Sequence, residues 1–74
     1  PAHNDKLGQA LAVDDCVAFP QGNSLLIGKV IKLNNKMVRV ARVPARGYGG
    51  EWNKYPQDLV KIDSEMVTLY LLKN

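Results

Sequence analysis

The sequence predicts a small all-β fold, an antiparallel barrel of five to six strands in one domain. Short runs of β-branched and aromatic residues alternate with clusters of Gly, Pro, Asn and Ser, which is typical of strands joined by turns. The chain has 74 residues, and 46% of them are hydrophobic. This fraction is too high for a disordered chain, yet a domain of this length builds only a thin core. A sheet that curls on itself uses such a core efficiently.

The beginning of the chain is polar, and we interpret it as a flexible N-terminal arm, residues 1–10. His3 lies in this arm, and we expect its side chain to be exposed to solvent. The arm would precede a single folded domain, residues 11–74.

The first strand is predicted over residues 11–19. Val17 and Phe19 alternate there with smaller side chains, which is the period of a strand with one buried face. Pro20 ends the strand, and residues 21–24 have the composition of a turn.

A long hairpin is predicted next, from residues 25–33 and 37–43. Gly28 lies inside the first of these strands, where a glycine indicates a bulge or a sharp bend. Asn34-Asn35 tolerates a positive φ, so it suits a tight turn. Val30 and Leu33 are predicted to face the core while Lys29 and Lys32 face outward, and this spacing of three again indicates a bulge. In the second strand, Val38 and Val40 share one face.

The second half of the chain is predicted as a loop, two short strands and an ambiguous tail. The loop takes residues 44–50, and a short strand covers residues 51–55. Residues 56–59 begin with Pro and indicate a short 3₁₀ turn before a strand at residues 60–62. The tail, residues 64–72, begins with Ser64, which could cap a helix because Asp63-Ser64-Glu65 precedes an apolar run. Its β-branched and aromatic residues alternate, so we favour a last strand.

The run from Val17 to Val43 resembles a KOW motif, which occurs in certain transcription factors and ribosomal proteins. The matching positions are Val17, Gly22, Gly28, Lys29, Val30, Leu33, Val38 and Val40. The whole chain is similar to SH3-like barrels of the KOW and Tudor type. The resemblance implies binding to RNA, DNA or a protein of the transcription or translation machinery, and it does not imply catalysis.

The distribution of charge is uneven, although the net charge is only +3. From Cys16 to Gly50 there are six cations and no acid, and all seven acids lie outside this span. The six are Lys29, Lys32, Lys36, Arg39, Arg42 and Arg46. A segment of one sign predicts a positive face for a polyanion. A solvated outer sheet face that binds nothing has the same composition.

Catalysis and metal binding lack the residues that they require. His3 is the only histidine and Cys16 is the only cysteine, and a nucleophile needs a base within hydrogen-bond reach. The sequence has no CxxC, no HExxH and no glycine-rich phosphate loop. We therefore expect no enzymatic activity, no cofactor and no metal. A lone cysteine is typical of a reducing cytoplasm, and no apolar run reaches the roughly 20 residues of a membrane span.

The leading functional hypothesis is a module that binds DNA or RNA with weak sequence specificity. The six cations would contact phosphates from the outer face of strands 25–33 and 37–43 and from the loop 44–50. Tyr48, between glycines in the loop, would stack on exposed bases.

A protein-interaction module is the alternative hypothesis. The positive face would dock on an acidic protein surface. A Tudor-like aromatic cage would instead hold a methylated cation by cation–π attraction, with Phe19, Trp52 and Tyr55 as candidate walls.

Overall fold

The structure, a computed structural model, describes residues 2–43 and 50–73. Five antiparallel strands form one sheet in the order β4-β3-β2-β1-β5. A 3₁₀ turn, Pro56–Asp58, precedes β5, and a helix follows it. The bounds are β1 Cys16–Gln21, β2 Ser24–Leu33, β3 Val38–Arg42, β4 Glu51–Lys54, β5 Val60–Ile62 and α1 Ser64–Lys73. The predicted β-rich fold and the predicted 3₁₀ turn are confirmed. The predicted barrel closure is not seen, because β4 and β5 remain the two outer strands of the described sheet.

The core lies on the inner face of this curled sheet. Val17, Phe19, Val30, Val38 and Val40 are fully buried there, as the alternation predicts. Two residues from outside the strands complete the main core, Leu11 and Leu59.

Gly28 is needed for a close approach rather than for a bulge. A Cβ at this position would lie 2.6 Å from the carbonyl oxygen of Ala41 and 2.7 Å from Cε1 of Phe19. The bulge that the sequence predicts in β2 is present, but it lies further along the strand, between Val30 and Lys32. The missing side chain at Gly28 therefore leaves room for the Phe19 ring in the core, and Ile31 is the extra residue of the bulge.

The two hairpin turns differ in backbone conformation. Gly22 has a φ of +60° in the turn between β1 and β2, which is the conformation that glycine adopts most readily. Neither Asn34 nor Asn35 has a positive φ, so the turn predicted there is present but does not use the left-handed conformation that asparagine tolerates. The connection takes four residues, and it is closed by a 2.9 Å bond from the amide of Asn34 to the carbonyl of Met37.

The N-terminal segment, residues 3–11, runs along the outer edge of β5. The amide of Lys6 donates to the carbonyl of Leu59 at 2.8 Å, and the amide of Lys61 donates to Oδ2 of Asp5 at 2.7 Å. His3 is half-buried, not exposed as predicted, and its Nε2 bonds the carbonyl of Asn34 at 2.5 Å. The segment covers a sheet edge that would otherwise be open to pairing. The arm–domain boundary after residue 10 stays a prediction.

Asp5 organises this segment, and its side chain is only 5% exposed. Its carboxylate also accepts the backbone amides of Leu7 at 3.0 Å and of Gln9 at 2.7 Å. The side-chain amide of Gln9 adds a fourth donor. Burial by itself would raise the pKa of this carboxyl. The donors from Lys61, Gln9 and Leu7 outweigh burial, so the pKa lies below the ordinary value of 3.8.

The tail forms helix α1, so the preference for a last strand is wrong. The carbonyl of Asp63 accepts the amides of Met66 and Val67, and an acid opens the helix while Lys73 ends it. The hydroxyl of Thr68 donates to the carbonyl of Ser64 at 3.1 Å, which accommodates a β-branched residue within the helix. The edge where a sixth strand would pair with β5 is already taken by the N-terminal segment.

No helix in the described ranges is long and apolar enough to cross a membrane.

Candidate functional site

The outer face of β2 and β3 carries three of the predicted cations. Lys32 lies opposite Arg39, and Lys29 lies opposite Ala41 in the register of the two strands. Side chains of paired residues share one face of a sheet. The bulge at Ile31 therefore places Lys29 and Lys32 on the same face, although they are three residues apart. Both lysine side chains are exposed.

Arg42 lies on the other face, so its predicted position on the outer face is wrong. It pairs with Gly28, and it shares the alternation of the buried Val38 and Val40. Its side chain is half-buried at the end of β3. It cannot act together with Lys29 and Lys32 on a flat ligand.

Arg39 lies on the predicted face, but β4 partly neutralises it. Its Nε is 3.1 Å from Oε1 of Glu51, and its Nη1 donates to Oδ1 of Asn53 at 3.3 Å. The span without acids in the sequence therefore has an acid beside it in space. Both members of the ion pair are partly exposed, so the pair contributes only about 0–1 kcal/mol to stability.

A depression of about 690 Å³ lies at the turn end of the hairpin. Two cations and three side-chain amides line it, together with two apolar residues and no acid. The lining residues are Lys32, Leu33, Asn34, Asn35, Lys36, Met37 and Asn53. Sequence reasoning found the two lysines but missed the role of the asparagines. Turn composition explains Asn34 and Asn35 without assigning them a binding role, and Asn53 comes from a strand that is adjacent only after folding.

His3 supports the turn that builds this depression. Its bond to the carbonyl of Asn34 joins the N-terminal segment to the turn across 31 residues of chain. Ordinary turn composition predicts the turn but not this support. The position of the depression therefore depends on a contact between two segments that are distant in the sequence.

The aromatic cage is not formed as predicted, because Phe19 has no exposed surface. The Phe19 ring is fully buried and packs at 5.6 Å, centroid to centroid, against the half-buried Trp52 with a tilt of 59°. Only Tyr55, of the three predicted cage walls, is exposed.

Lys54, which sequence reasoning passed over, covers the Phe19 ring. Its Nζ lies 5.8 Å from the ring centroid and donates to Oε1 of Gln21 at 2.6 Å and to the carbonyl of Pro20 at 3.2 Å. A cation of the chain itself therefore lies over this ring. Lys54 also ties β4 to the end of β1 across the curled sheet.

Arg46 and Tyr48, the predicted loop contacts, lie outside the described residues. Within residues 2–43 and 50–73, no group of three or more His, Cys, Asp or Glu side chains is placed to hold a metal ion.

One protein-family model matches residues 3–62, and it is described as a domain of unknown function, DUF7205. The match is to this family and not to a KOW or Tudor family. It includes the N-terminal segment and all five strands, and it ends before helix α1. No curated protein and no solved structure matches the chain.

Proposed function

We propose that this chain, which belongs to the DUF7205 family, is a non-enzymatic module that binds DNA or RNA with weak sequence specificity. The contact surface would be the basic depression together with the outer face of the hairpin. Lys29, Lys32 and Lys36 would carry most of the attraction, and Arg39 would contribute less because Glu51 already pairs with it.

The depression without acids is the observation that carries this proposal. Two lysines converge there with three amide side chains. Lysine ammonium groups neutralise phosphates and release counterions. Asparagine side chains bond both phosphate oxygens and base edges. This set of groups suits a phosphate backbone passing over the turn, and it gives affinity without strong choice of sequence.

We further propose that the sheet is an opened SH3-like barrel of the KOW and Tudor type. Five antiparallel strands with a 3₁₀ turn before the last one support this interpretation. The inward positions on which the resemblance depends, among them Val17, Val30 and Val40, form the core. The resemblance supports nucleic-acid binding, but the proposal rests on the charged depression and does not require the resemblance.

A titration tests the proposal. Labelled single-stranded RNA, single-stranded DNA and duplex DNA of one sequence would be titrated with the protein and followed by fluorescence anisotropy at several salt concentrations. Lys36→Gln should weaken binding about two- to fivefold, which corresponds to the loss of one exposed ion pair of about 0.5–1 kcal/mol. Lys32→Gln combined with Lys36→Gln should also lower the salt slope by about 2, since two phosphate contacts are lost.

Lys6→Gln is the matched control, because it removes the same charge from an exposed side chain outside the depression. Equal losses from Lys6→Gln and Lys36→Gln would show attraction by net charge alone and would overturn the assigned surface. An acidic peptide that binds as tightly as the nucleic acids, with the same dependence on Lys36, would assign the surface to an acidic protein.

A further inference from the structure

Helix α1 leaves large apolar side chains in solvent. Met66 is 58% exposed, Leu69 57% and Leu72 78%. Val67 is the only residue of the helix that is buried, and it is not part of the main core. A ten-residue helix with one buried side chain gains little from packing on its own domain. Its exposed apolar surface requires an explanation.

Three of the four exposed apolar side chains of α1, Met66, Leu69 and Leu72, form one stripe, while Leu71, which is 40% exposed, lies on the side of Val67. Successive helical residues are rotated by roughly 100°, so Leu69 lies nearly opposite Val67. Glu65 and Leu72 lie beside Leu69 on that face, and Met66 flanks it. Spacings of three and four residues along the stripe are those of helix pairs that pack at shallow angles.

The stripe is symmetric about Leu69. Met66 and Leu72 lie three residues to either side of it, and Glu65 and Lys73 lie four residues to either side. Two copies related by a two-fold axis at Leu69 would run antiparallel. Met66 would then meet Leu72 of the second copy, and Glu65 would meet Lys73 of the second copy. A parallel pair would instead place like charges together at both ends.

We propose that this face of α1 binds a second copy of the chain in an antiparallel helix pair centred on Leu69. The charge complementarity of Glu65 and Lys73 selects the self-pair, and the antiparallel arrangement also opposes the two helix dipoles favourably. A membrane surface fits less well, because helices that lie on membranes are rich in basic residues and α1 contains one lysine and one glutamate.

The association should be weak. A helix of ten residues is about 15 Å long, so the helix pair alone falls below the roughly 1,000 Å² that a stable interface buries. We expect a dissociation constant on the order of 10–100 μM. The helix pair would form whether or not the protein binds nucleic acid.

Analytical ultracentrifugation of the full chain from about 5 μM to 1 mM would test it. The wild-type protein should pass from monomer to dimer, and Leu69→Lys should stay monomeric. Leu25→Lys is the matched control, since Leu25 is 69% exposed on the sheet and away from the helix. It should dimerise like the wild type, and circular dichroism should show that both variants remain folded.

Charge reversal tests the antiparallel register. Glu65→Lys and Lys73→Glu should each weaken the dimer at least threefold. The double variant, and an equimolar mixture of the two single variants, should regain wild-type association. A monomer at 1 mM, loss of the dimer in Leu25→Lys but not in Leu69→Lys, or charge reversal without rescue would overturn the proposal.

Discussion

The two ends of the chain have opposite compositions and opposite degrees of burial. The N-terminal segment is polar, yet Asp5 is buried and each of its carboxylate oxygens accepts two hydrogen bonds. Helix α1 is mostly apolar, yet only Val67 is buried. The order of the first end comes from a satisfied buried carboxylate. The second end has local helical structure but little tertiary support.

This difference teaches that hydrophobicity and attachment to the fold are separate properties. Backbone donors fix the N-terminal segment at the edge of β5, where the sheet needs a partner. The family model includes that segment and ends before the helix. Helix α1 therefore lies outside the matched region, and its large apolar side chains are exposed.

The largest effect should come from removing the carboxylate. Asp5→Ala would leave the amides of Leu7, Gln9 and Lys61 without their acceptor. An unpaired buried amide costs about 1–3 kcal/mol, and the sum is smaller here because these bonds are only partly buried and water can reach the amides. We expect the free energy of unfolding, measured with urea, to fall by about 3 kcal/mol. Asp58→Ala, at an exposed aspartate, should change it by less than about 0.5 kcal/mol. Equal effects would contradict a special role for Asp5.

Substitutions in α1 should lower the free energy of unfolding less than Asp5→Ala does, and only those on the buried side of the helix should lower it measurably. Val67→Ala removes two buried methyl groups, so it should cost about 1–1.5 kcal/mol. Leu69→Ala deletes more atoms from an exposed position, and it should cost less than about 0.5 kcal/mol in dilute, monomeric protein. Thermal unfolding at low micromolar concentration would measure both. A larger loss for Leu69→Ala would mean that the outer face of α1 packs within the monomer.

The smallest effect concerns pH. The pKa of Asp5 is lower in the folded chain than its ordinary value of 3.8, because hydrogen-bond donors outweigh burial. Its contribution to stability is therefore complete above about pH 4 and is lost as the pH falls through the folded-state pKa. Urea unfolding between about pH 6 and pH 2.5 should show a steeper acid loss in the wild type than in Asp5→Asn. The other carboxyl groups are common to both proteins, so parallel curves would contradict the lowered pKa.

Local patterns in the sequence predict the sheet well. Period-two alternation identifies the buried positions of β1, β2 and β3, since a strand with one buried face leaves that signature whatever its neighbours are. The 3₁₀ turn is predicted for a similar reason, because Pro56 fixes the backbone locally.

The candidate site was only half predictable. Lys32 and Lys36 stand out as cations in a span without acids. Their relation to Asn53, and the pairing of Arg39 with Glu51, depend on β4 lying beside β3. The prediction for Arg42 is wrong because it follows the charge of the residue and not its position in the alternation. Alternation alone would have placed it with Val38 and Val40.

By itself, the sequence determined the strands, their inward faces and the excess of positive charge in the hairpin. These properties are carried by neighbours along the chain, through side-chain period, turn residues and composition. Only the tertiary structure decided that the N-terminal segment covers the edge of β5 and that the tail forms a helix. It also decided the position of Lys54 over the Phe19 ring and that of Glu51 beside Arg39. Each of these depends on residues that are distant in sequence and meet after the sheet forms. For the tail, alternation was compatible with a strand, but the edge of β5 was already occupied and the segment formed a helix.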